Sequence, residues 1–127
     1  RVAGQTCTDF LYDDQPAFGE VDTWMRTQGF VPHRFLDIKR WAIAPTVING
    51  NPRIPGHQLL ESDVVYIRDP TRPDTLSDRQ LMGLAVLAHH AFDSTDLCVF
   101  LLRALVLRGA LPRGSARHYL AVTRAAA

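Results

Sequence analysis

His89, His90, Asp93 and Asp96 bring two imidazoles and two carboxylates into one short stretch. On a continuous helix His89 and Asp93 would lie four apart, close enough to share one ion. The glutamate of an HExxH signature is missing, however, and a closed structural site needs about four ligands. Asp93 is better placed to cap a following helix, so no metal is expected. His33 and His57 stand in separate segments, where partly buried or hydrogen-bonded imidazoles are the simpler expectation.

A cysteine nucleophile needs a nearby base and an electropositive setting. Cys98 sits inside an apolar run, where burial raises its pKa and leaves it inert. Cys7 reads as a packed strand residue. The two thiols are far apart and form no CxxC pair, which points to reduced cysteines in a cytosolic protein. Asp13 and Asp14 are adjacent carboxylates at a strand-to-helix junction, where α/β folds bind ligands. Acids also favour the positive end of a helix, and that structural role takes precedence here. The chain carries no GxGxxG, P-loop or GxSxG, so no nucleotide loop or serine elbow is expected.

The elements that must position these groups can be read from periodicity. "QTCTDFLY" (5–12) has the Thr, Cys, Phe and Tyr content of a strand. A helix begins at Asp14 or Gln15, with Pro16 in its first turn and Phe18, Val21 and Met25 on one face. Trp24 lies beside that face, and Gly29 is the left-handed stop. "FVPHRFLDI" reads as a second strand, which Pro32 restricts to an edge or a bulge. Residues 41–60 are irregular, with a turn at Asn49–Gly50.

"SDVVYIRD" is the third strand, and four consecutive apolar residues suit a strand covered on both faces. Ser77 and Gln80 then form a capping box, flanked by Leu76 and Leu81 as a staple. Leu81, Leu84, Ala85 and Ala88 continue the buried face of that helix. A further helix starts at Asp93 or Ser94 and ends at Gly109. It is apolar almost all round, which predicts burial on most sides. Residues 115–124 read as a last short helix. The strand–helix–strand unit implies a crossover between parallel strands, and the third strand can pair antiparallel. The sheet reads as part of a larger one.

At 127 residues the chain is long enough for one domain with a core, and its hydrophobic fraction of 46% is that of a folded protein. Net charge is +1, unevenly spread. No acid comes after Asp96, whereas Arg103, Arg108, Arg113, Arg117 and Arg124 do. These arginines are dispersed and lack interleaved stacking aromatics, so neither nucleic acid nor membrane is an expected partner. The longest apolar run, Leu97 to Leu102, is far too short to span a bilayer. Arg1, rather than Met, opens the sequence, and a chain that is processed, trimmed or cut from something longer is expected from that.

"YDDQPAFGEVDTWMRTQGFVPHRFLDIKRW" resembles the segment after the central strands of FkbM-family methyltransferases. A Tyr-containing stretch with Gln-Pro precedes a helix ending in Gly-Phe and a His-containing strand. "GHQLLESDVVYIRDPTRPDTLSDRQLMGLAVLAHHAFDSTDL" is similar to the next segment of bacterial members. The likeness covers about residues 8–108, with Asp14 standing where glycine is usual. The resemblance implies a Rossmann-like α/β sheet and S-adenosylmethionine dependence. It further implies that this chain is the C-terminal part, with three strands, the last one antiparallel, and C-terminal helices. The cofactor loop would precede the region seen here, so this chain alone is expected to bind no cofactor.

Methyl transfer to an oxygen of a small-molecule or sugar acceptor is the expected activity of a complete form. Tyr12, Asp13, Asp14 and Gln15 would be its acceptor-side candidates, as the resemblance implies. The alternative is a non-catalytic interaction module that uses a sheet edge or the apolar helix. An unpaired first strand would also promote self-association.

Overall fold

Val64, Val65, Tyr66 and Ile67 are all buried, and a run of four can be buried only where both faces of a strand are covered. The computed structural model describes the backbone of residues 3–7 and the backbone and side chains of residues 16–126. Two compact units divide the chain between Asp69 and Pro70.

The first unit holds β1 (Ala3–Cys7), α1 (Phe18–Thr27), β2 (Phe30–Trp41) and β3 (Gln58–Arg68). The strand order is β1-β3-β2, and β3 is antiparallel to both neighbours. β1 and β2 therefore run in the same direction without pairing. The crossover unit expected from the sequence has its parallel strands, with β3 inserted between them.

β2 is an edge strand, and its register slips between Pro32 and Arg34. Pro32 thus has both settings its missing N–H requires. β2 and β3 extend beyond the segments that hydrophobicity picks out. The added residues, 39–41 and 58–61, mix polar and apolar side chains and pair with each other across the two strands. Lys39 forms an ion pair with Glu61, its register partner, and the Ser62 hydroxyl donates to the Leu36 carbonyl at 2.8 Å. In the connection, Asn49 and Gly50 both have positive φ (52° and 69°) beneath an Ile48–Asn51 bridge. The two positive φ values are those of the tight hairpin turn that Asn-Gly favours.

α1 starts later than the proline suggests. Its N-cap is Ala17, so Pro16 lies outside the first turn. Ala17 has no side-chain acceptor, and only half a capping box forms: Glu20 Oε2 accepts from the Ala17 N–H at 2.8 Å. Phe18, Val21 and Met25 are half-buried as their spacing requires, whereas Trp24 is 61% exposed. Gly29 ends the helix with φ 79°.

The second unit is helical: a 3-10 turn at Pro73–Thr75, then α2 (Asp78–His90), α3 (Thr95–Leu107) and α4 (Ser115–Ala126). Ser77 caps α2, accepting from the Gln80 N–H at 3.3 Å, while Gln80 Oε1 accepts from the Ser77 N–H at 2.9 Å. Such a box contributes about 1 kcal/mol. Leu81, Leu84, Ala85 and Ala88 are the buried residues of α2, as the spacing predicts. On α3 the buried set is Leu97, Cys98, Leu101 and Leu105; α3 packs against α2 and α4, and Cys98 meets Tyr119 of α4.

The expectation that α3 is buried on most sides needs correction. Phe100 is half-exposed and Leu107 is 86% exposed. Apolar composition all round says that a helix can be covered everywhere. Within this chain α2 covers one side, and α4 covers the other only partly.

Candidate functional site

Tyr12, Asp13, Asp14 and Gln15 lie outside the described residues, as do positions 8–12 of the expected first strand. The nearest described part of that junction is the start of α1. Its outer face, formed by Ala17, Gly19, Glu20, Thr23, Trp24 and Thr27, borders an open hollow of about 710 Å³. Trp24 is the large apolar group there, and Glu20 is already engaged at the helix cap.

On the inner side of α1 a polar network fastens the helix to the sheet. The Tyr66 hydroxyl donates to Asp22 Oδ1 at 3.1 Å, and Arg26 Nε donates to Asp22 Oδ2 at 2.8 Å. The Arg26 bond leads in holding the Asp22 carboxyl below its usual pKa, with the Tyr66 bond helping against desolvation. Burial, reinforced by the Asp22 bond, pushes Tyr66 up to about 12. The phenol remains a proton donor at neutral pH. It serves as a positioning contact between β3 and α1, its proton shared with the Asp22 carboxylate.

In the helical unit the sequence-predicted cluster comes apart. His89 and His90 pack edge to face, with ring centroids 4.5 Å apart. His89 Nδ1 is 2.9 Å from the Tyr119 hydroxyl of α4. The helix breaks before Asp93, whose φ is 49°, so His89 and Asp93 do not share one helical face. Ser94 rather than Asp93 is the N-cap of α3, and its hydroxyl donates to Asp96 Oδ1 at 2.9 Å. Among the described residues no group of three metal-ligating side chains comes together.

Tyr119 links the cluster to Cys98. Burial first, and then the hydrogen bond to Cys98, raise Tyr119 to about 12; a bond with Thr95 opposes them. Burial also raises the Cys98 thiol. Both groups hold their protons at neutral pH, so the cluster offers hydrogen bonds and no thiolate.

Alkaline titration tests both phenols. A folded-state pKa raised to about 12 means that folded Tyr66 and Tyr119 keep protons that unfolded tyrosines lose near 10. Their contribution to stability is full below about pH 10 and is lost as pH rises towards 12. Tyrosinate absorbance should show two of the three tyrosines titrating late, with Tm falling over the same window. Titration of both phenols at the ordinary position would contradict the burial.

Between α3 and α4 runs an open groove made of two adjoining hollows, about 630 and 500 Å³. Val99, Arg103 and Leu120 line both. No motif in the sequence marks this groove. The one available signal was the excess of apolar residues around α3.

Comparison with known proteins finds no match. No family model, no curated protein and no solved structure is similar to this chain. Among the described residues no helix is long and apolar enough to cross a membrane.

Proposed function

We propose that this chain is the C-terminal part of an S-adenosylmethionine-dependent methyltransferase, acting on an oxygen of a small-molecule or sugar acceptor when complete. The observation that most supports the reading is the strand order. β3 lies antiparallel between β1 and β2, which run in one direction and are joined through α1. A parallel sheet closed by one inserted antiparallel strand is the arrangement that the likeness to FkbM-family methyltransferases implies for this region.

Under this reading β1 is an internal strand of a wider Rossmann-like sheet, and its outer edge pairs with the strands of the cofactor half. The segment leaving the C-terminal end of β1 then reaches the crevice where open α/β sheets bind ligands. Tyr12, Asp13, Asp14 and Gln15 belong to that segment and supply the acceptor-side contacts.

The described residues do not fit the methyl donor itself. Their positive-φ glycines, Gly29, Gly50, Gly56, Gly109 and Gly114, come after helices or sit in turns and loops, and none forms a glycine-rich loop between a strand and a helix. No step of the transfer is therefore assigned to them.

Calorimetry with S-adenosylmethionine tests the proposal on two polypeptides: the 127-residue chain, and that chain extended by the residues encoded upstream of Arg1. The expected result is no heat with the first and saturable binding with the second. Micromolar binding to the short chain, or none to the extended one, would refute it.

A further inference from the structure

We infer that the α3–α4 groove is a docking site for an acidic amphipathic helix of another protein. The inference is independent of the methyl-transfer reading, because every residue it uses belongs to the helical unit.

The floor of the groove is apolar. Val99, Phe100, Val106 and Leu107 recur at helical spacing on the side of α3 opposite its buried leucines, and Leu120 of α4 completes the surface. The rim is basic. Arg124 stands at one hollow, Arg117 at the other, and Arg103 reaches both. All three are exposed, and among the described residues none enters an ion pair. Arg108, on the same helical unit, is bound instead to Asp78 and two carbonyls and does not face the groove's hollows. The carboxylate on the rim is Asp96, and it already accepts from Ser94.

The layout of charge selects the occupant. The cations are spread along the groove, whereas a fatty carboxylate carries one charge at one end. The surface is concave and does not match a flat bilayer. Phe100 is the one aromatic side chain on the floor, too few for a stacking track that would bind single-stranded nucleic acid. A helix with a leucine-type stripe and carboxylates along its flanks meets floor and rim together. α3 has 13 residues, so the groove accommodates a segment of about 14 residues, roughly 20 Å long.

A second copy of this chain fits poorly. Glu20 and Asp22 of α1 and Asp78 of α2 are each held within their own copy, and α4 carries no acid in its first turn.

The probe is a fluorescein-labelled, helix-forming peptide of about 14 residues, with leucines at i, i+3, i+4 and i+7 and glutamates on the flanks. Controls are a peptide of the same composition with the leucine order scrambled, and one with lysine replacing each glutamate. Fluorescence anisotropy with the full chain should show saturable binding of the acidic peptide that weakens as salt is added. The triple variant R103E/R117E/R124E should bind it about tenfold or more weakly and take up the lysine peptide instead. These positions are exposed and unpaired, so its far-UV circular dichroism should match the parent. Leu107→Ser tests the floor by a second route and should also weaken binding.

Absence of saturable binding, or binding indifferent to charge reversal or to leucine order, overturns the proposal. So does competition by myristate or by phosphatidylglycerol vesicles that outmatches the peptide. A dimer in light scattering that the triple variant dissolves would assign the groove to a second copy and overturn it as well.

Discussion

Replacing Leu101 by alanine is expected to lower the free energy of unfolding by about 3 kcal/mol. Leu101 is fully buried, on the same face of α3 as Leu97, Cys98 and Leu105. The truncation removes the transfer free energy of its side chain and leaves a hollow that neighbouring leucines cannot fill completely. The control is Leu107→Ala on the same helix. Leu107 is 86% exposed, so its loss should change stability by no more than about 0.5 kcal/mol. Urea unfolding followed by circular dichroism measures both. Equal costs at the two positions would mean that the buried face of α3 is wrongly placed.

The second large effect concerns Arg108, just past the end of α3. Its guanidinium donates to the Leu76 carbonyl at 2.8 Å, to Asp78 Oδ1 at 3.0 Å and to the Pro73 carbonyl at 2.5 Å. It thereby ties the end of α3 to the 3-10 turn and to the start of α2. Charge-assisted hydrogen bonds contribute about 1.5–3 kcal/mol each when intact, and partial exposure reduces that. Arg108→Ala should therefore cost about 2–3 kcal/mol in urea unfolding. Arg108→Lys should recover less than half, because an ammonium cannot reproduce a planar fork aimed at three acceptors. The loss should persist at high salt, since two of the acceptors are uncharged carbonyls. Full rescue by lysine would show that a point charge suffices.

Local chemistry was the legible part of this fold. The Ser77–Gln80 box, the Leu81–Ala88 face and the Gly29 and Gly109 stops each depend on residues a few positions apart, which a linear reading captures. The four apolar residues from Val64 also announced a central strand before its neighbours were known. Long-range side-chain pairing left no such trace. Tyr66 and Asp22 are 44 positions apart, and nothing local to "VVYI" tells that its tyrosine reaches a carboxylate.

The same limit applies to the joined ends of β2 and β3, where Lys39, Arg40 and Trp41 pair with Glu61, Leu59 and Gln58 across the sheet. The break between His89 and Asp93 was legible as well: Asp93 or Ser94 is the expected start of the next helix, and Ser94 is the N-cap of α3. The α3–α4 groove was half legible. An apolar surplus around α3 was plain, whereas the alignment of Arg103, Arg117 and Arg124 needed the packing of α4.

A methyltransferase sheet wider than three strands requires β1 to be internal, and amide hydrogen exchange along Ala3–Cys7 tests that most directly. β1 pairs with β3 on one side, so alternate amides point towards β3 and away from it. In the 127-residue chain one alternate set should exchange slowly and the other fast. Extending the chain with the residues encoded upstream of Arg1 should slow the fast set to the rate of the slow one, as a new neighbouring strand takes up its N–H groups. If the outward amides exchange at the same rate with and without those residues, the wider sheet does not exist and the methyltransferase reading falls with it.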